Sequence, residues 1–133
     1  FFFKQKTAYD IDKYPVYPAS LPFDNVITVG NLMFNGRLDE SSNYGCASVD
    51  LAAPGTYILS AIPGNAYAYM SGTSMAAPMV TGAAALLYSG RPDLNLTDIK
   101  TALLSTVHKL APLKEKTVSG GMLDVSAAMK WQK

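Results

Sequence analysis

The chain is poor in the residues that mark many small-protein chemistries. It has one cysteine, Cys46, among 133 residues, so no internal disulfide can form. It has one histidine, His108, so no His/Cys set for a zinc site can be assembled, and no EF-hand loop pattern occurs. Lys and Arg number 11 against 10 Asp and Glu, a formal charge of +1, which gives no basic field for nucleic acid or an anionic membrane. No run of about 18 apolar residues reads as a membrane span. Internal repeats and low-complexity tracts are absent. What is present is an apolar chain, 49% hydrophobic, punctuated by Gly and Pro. That composition suits an ordinary domain of this size, burying about two-thirds of its unfolded surface.

Periodicity predicts short strands followed by helices. Asn25 to Gly30 alternates β-branched residues and reads as a buried strand. Asn35-Gly36 marks a turn. Val49 to Ala52, closed by Pro54-Gly55, reads as a second strand; Thr56 to Ala61 as a third; Ala66 to Met70 leads into a polar turn. A helix is predicted from Thr73 to Ser89, with Pro78 near its first turn and Gly90-Arg91-Pro92 as the stop. Its Gly82 and many alanines predict a helix buried on every side. Asn95 with Asp98 forms a capping-box pair for the next helix, whose apolar face is Ile99, Ala102, Leu103, Thr106 and Val107. Val118 to Leu123 reads as a strand or hairpin edge, and Asp124 caps a last helix through Met129. Strands alternating with helices indicate an α/β class with a parallel sheet.

The densest chemical signal is Gly72-Thr73-Ser74-Met75-Ala76-Ala77-Pro78. It sets Ser74 at the mouth of a small-residue helix. A serine there has unpaired backbone N–H groups beside it and the positive end of the helix dipole around it. That suits a hydroxyl that attacks a carbonyl and leaves an oxyanion next to backbone donors.

The same segment resembles the nucleophile signature of the subtilisin-like serine proteases. Further blocks carry the resemblance in order: Tyr17-Pro18-Ala19-Ser20, Asn25 to Gly30, Ser42-Asn43-Tyr44-Gly45, Val49 to Gly55, Pro63-Gly64-Asn65 and Gly120 to Val125. The family usually has His where Met79 stands. The resemblance implies a doubly wound, mostly parallel sheet with a central buried helix. It implies Ser74 as nucleophile and its backbone N–H as one oxyanion donor, with Gly72 and Thr73 supporting the turn. It also implies a polypeptide substrate, an extracellular setting and, in some full-length members, structural calcium. Residues 11–133 would correspond to the C-terminal half of the catalytic domain. The triad Asp and His and the oxyanion Asn would then lie in the other half, a partner this chain needs, and the 133 residues alone are expected to be inactive. Lys4 to Tyr9 is also what a common sequencing adapter encodes when read in frame, so residues 1–10 are expected to be non-native.

Other candidates have plainer explanations. His108 is expected to end a helix, where a cation suits the dipole. Asp50 reads as a cap for the following turn, although in some family members an Asp here lies near a weak cation site. Cys46 is expected to pack as a small hydrophobe. Tyr67, Tyr69 and Met70 read equally as surface packing or, for Met70, as the leaving-group side of a cleft. Two other functional classes compete. One is an esterase using Gly72 to Ala76 as a variant nucleophile elbow, disfavoured by Ala76 and by the short Ser74 to His108 spacing. The other is an inert binding module built on the protease fold.

Overall fold

The computed structural model describes residues 8–133. Strand β1 (Val29–Leu32) lies parallel to β2 (Leu51–Pro54), in register from Val29 opposite Leu51 to Leu32 opposite Pro54. On the other side of β2 runs the short parallel strand β6 (Gly121–Met122), edged by antiparallel β5 (His108–Lys109). The sheet order is β1-β2-β6-β5. Successive residues of β2 face opposite sides: Leu51 and Ala53 join one buried cluster, and Ala52 joins a second with Leu32 and Leu113. Both faces of the strand are covered, so it reads as a continuous apolar run rather than an alternating one.

The first expected strand begins later than Asn25. Residues 26–28 spend their backbone groups elsewhere: the Val26 N–H turns back to the Phe23 carbonyl at 3.0 Å, and the Thr28 N–H donates to Asp50 Oδ2 at 2.7 Å. The N–H groups of Val26 and Thr28 are thus taken by a turn and a side chain, and only the Thr28 carbonyl, which accepts the Asp50 N–H at 2.9 Å, reaches across toward β2 before Val29. The expected third strand is β3 (Ile58–Ile62), but it stands outside the parallel sheet. It pairs antiparallel with β4 (Ala66–Met70) as a separate hairpin.

Helix α1 (Thr73–Gly90) packs on β1 and β2. It is not buried on every side: only Ala76, Val80, Ala83 and Leu87 are buried, one stripe at helical spacing. Pro78 lies in the second turn, not the first. Its missing N–H therefore leaves the Ser74 carbonyl without the usual donor four residues on. Helix α2 (Leu96–Ser105) has the expected capping box, with the Asp98 N–H on Asn95 Oδ1 at 2.9 Å and the Asn95 N–H on Asp98 Oδ2 at 3.0 Å. It buries Ile99, Ala102 and Leu103 and stops at the C-cap Thr106, so Thr106 and Val107 lie beyond it. Helix α3 (Val125–Met129) is capped by Asp124, whose carboxylate accepts the Ala127 N–H at 2.8 Å.

Candidate active site

Hairpin β3–β4 delivers the chain to the start of α1. There Gly72 takes φ 152°, ψ 169°, a conformation essentially closed to residues with a Cβ. This bend turns the backbone from strand into helix and sets Ser74, exposed, at the second helical position. The Met75 and Ala76 N–H groups fold back onto the Gly72 carbonyl at 3.0 and 3.2 Å. Those of Thr73 and Ser74 make no hydrogen bond among the described residues, and no side chain caps this end. The helix mouth therefore presents two backbone donors and the positive end of an 18-residue dipole beside the Ser74 hydroxyl.

The turn is gripped from residues 55–57. The Gly72 N–H donates to the Gly55 carbonyl at 2.8 Å, and the Tyr57 N–H donates to Ser71 Oγ at 2.9 Å. Gly55 must be a glycine for contact reasons. A Cβ there would lie 2.6 Å from the Gly72 carbonyl oxygen, 2.6 Å from Asn31 Oδ1 and 2.9 Å from Ala76 Cβ. Beneath the strap, Thr56 Oγ1 stands 2.9 Å from Asp39 Oδ2 and 3.1 Å from Asn31 Oδ1. The Ser41 hydroxyl and N–H, with help from Thr56, hold the Asp39 carboxyl below the usual carboxylate range. Asn31, Asp39 and Thr56 belong to no motif. Their one signal in the sequence is a polar Asn inside the apolar run Val29-Gly30-Asn31-Leu32.

The other candidates fall elsewhere. His108 is not at a helix end. It lies on edge strand β5, opposite Met122, at the far side of the sheet from β1. Asp50 reaches back to the Thr28 N–H rather than capping the turn ahead, and the Lys100 ammonium sits 3.6 Å from its Oδ1 while donating to the Val26 carbonyl at 2.6 Å. Cys46 is exposed, not packed away. The neighbouring Asp12 carboxylate, by hydrogen bonding and by its charge, pushes the thiol pKa up, away from the reactive thiolate. Tyr67 and Tyr69 share one exposed face of the hairpin with Leu59, and the half-exposed Met70 lies on the other. A cavity of about 460 Å³ between α2 and Val118-Ser119 includes no residue of the Ser74 turn.

The Ser74 turn thus joins a strand end, a glycine bend and a serine at a bare helix mouth. The model of the subtilase family, peptidase S8, matches residues 7–122. The chain belongs to that family. It is 52% identical over 95 residues to the thermophilic serine proteinase of Bacillus sp. (strain AK1), covering 71% of this chain and 22% of the relative. It is 36% identical over 124 residues to subtilisin-like protease 2 of Plasmodium falciparum (isolate 3D7), covering 90% of this chain and 9% of the relative. Among solved structures, the prenylagaramide maturation protease PagA superposes with a TM-score of 0.73 at 33% identity, over 86% of this chain and 44% of that one. The chain thus spans less than half the length of each of these relatives.

Proposed function

We propose that this chain carries the nucleophile of a serine endopeptidase, with Ser74 attacking the peptide carbonyl to form an acyl-enzyme. The observation that carries this is the exposed Ser74 behind Gly72, with the unpaired N–H groups of Thr73 and Ser74 at the mouth of α1. As Ser74 Oγ bonds to the carbonyl carbon, the carbonyl oxygen becomes an oxyanion. The Ser74 N–H, without a partner among the described residues, is the donor to that oxygen in this reading. The hydroxyl proton must go to a base, which passes it to the departing amine as the oxyanion collapses, the C–N bond breaks and the acyl-enzyme remains. The single histidine lies on strand β5 and serves no such role in this reading, so the base and its orienting carboxylate come from polypeptide outside these 133 residues. The substrate is a polypeptide, and the setting is extracellular.

Calcium does not fit at Asp50. A divalent cation there needs several oxygen ligands, and the Lys100 ammonium already holds that side of the carboxylate. No group of three or more His, Cys, Asp or Glu suited to a metal occurs among the described residues.

The test has two arms. The purified 133-residue chain should show no Ser74-dependent peptide cleavage, because in subtilisin itself, from which this magnitude is taken, loss of the base costs ~10⁶ in turnover. Measurable cleavage would place the base inside this chain. In a longer polypeptide that supplies the rest of a subtilase domain, Ser74→Ala should abolish labelling by a fluorophosphonate. Labelling that survives the substitution would refute Ser74 as the nucleophile.

A further inference from the structure

We infer that Asn31, Asp39 and Thr56 form a part-buried polar anchor that positions the nucleophile turn, with Thr56 as its central positioning residue. This rests on the assignment of Ser74 as nucleophile. Thr56 lies between the two residues that grip the turn, Gly55 through its carbonyl and Tyr57 through its N–H. Its own side chain reaches the other way, to Asp39 and Asn31. One hydroxyl carries one proton, so the two contacts share it, with the ionised Asp39 carboxylate at 2.9 Å the stronger acceptor and Asn31 Oδ1 at 3.1 Å the weaker. Asp39 is fixed in turn by the Ser41 N–H at 2.9 Å and the Ser41 hydroxyl at 2.6 Å, and its own N–H donates to the Asn31 carbonyl at 2.9 Å. Strap, loop and strand β1 are thereby tied at one point.

Two further observations favour positioning over ordinary packing. Tyr57 holds φ 55°, which a bulky residue keeps only where its surroundings impose it. Its N–H is the one that holds Ser71. Asn31 is fully buried, and its Nδ2 has no hydrogen-bond partner among the described residues. A buried amide with an unused donor costs stability that an apolar side chain would not. Its Oδ1, however, shares with the Gly72 carbonyl oxygen the small space left by the missing Cβ of Gly55. The amide walls the strap against the turn.

The test is residue-resolved amide exchange by NMR on the 133-residue chain. Thr56→Val keeps the shape and removes the hydroxyl. It should speed exchange at the Gly72 and Tyr57 amides about tenfold or more relative to the Leu103 amide of α2, because only a local opening is made easier. Thr56→Ser should restore protection. Asn31→Ala should loosen the same two amides without lowering the unfolding midpoint, a separation that a merely structural role would not produce. Unchanged exchange at Gly72 and Tyr57, or equal acceleration at Leu103, would overturn the proposal. If Thr56→Val unfolds, Thr56→Ser against Asn31→Ala decides: the first should keep the Gly72 and Tyr57 amides protected and the second should not. Failure of the Ser74 assignment would appear in the labelling experiment and leave the exchange pattern intact, so the two can be told apart.

Discussion

The two long helices of this chain are built on different terms. Helix α2 is finished at its N-terminus: Asn95 and Asp98 satisfy each other's orphan backbone donors, and one apolar face, Ile99, Ala102 and Leu103, is buried. Helix α1 is longer, has no side-chain cap, and carries no acidic residue in its first turn. Its apolar residues run around the whole circumference, yet only one stripe is buried, leaving Met79, Leu86 and Tyr88 exposed. The difference separates support from chemistry. A cap on α1 would occupy the N–H groups that flank Ser74, which the proposed nucleophile role needs free, so α1 forgoes the stabilisation that α2 takes. An all-round apolar helix is also the kind that protein normally covers on every side. The bare side of α1 is therefore a face suited to being covered by further polypeptide.

The contrast can be broken in order of expected size. Leu87→Ala, on the buried stripe, should cost about 2–5 kcal/mol in chemical denaturation. Leu86→Ala, one residue away and 49% exposed, should change stability by no more than about 0.5 kcal/mol. Similar losses for both would mean that α1 is covered on both sides in solution. Asn95→Ala removes one half of the α2 box and should cost about 1 kcal/mol. No equivalent loss exists to be made at the start of α1, where the cap is a glycine without a side chain.

These differences were unevenly visible in the sequence. The capping box, the Asp124 cap, the Gly90 stop and the Ser74 turn are local, and local chemistry writes them in a few adjacent residues. The start of β1, the separation of β3 and β4 from the parallel sheet and the exposure of one side of α1 are not local. They depend on which distant backbone groups compete for Thr28 and on what stands opposite Gly82. A run such as Val26-Ile27-Thr28-Val29 has strand chemistry throughout, but the Asp50 carboxylate claims the Thr28 N–H across 22 residues of chain. The anchor beneath the turn was hidden for the same reason. Asn31, Asp39 and Thr56 are scattered along the chain, and only folding brings them to one point.

Gly82 offers the smallest effect and the sharpest discrimination. It lies in the interior of α1, and a Cβ added there would meet nothing within 4 Å. In an open helix, Gly→Ala removes backbone freedom from the unfolded chain without a steric cost. Gly82→Ala should therefore stabilise the isolated 133-residue chain by about 0.5–1 kcal/mol. Once another segment packs against that face, the added methyl must displace it, and the sign should reverse. Measuring Gly82→Ala in the isolated chain and again in a longer polypeptide carrying a complete subtilase domain reads the covering of α1 directly. A gain in both would show that the bare face stays bare.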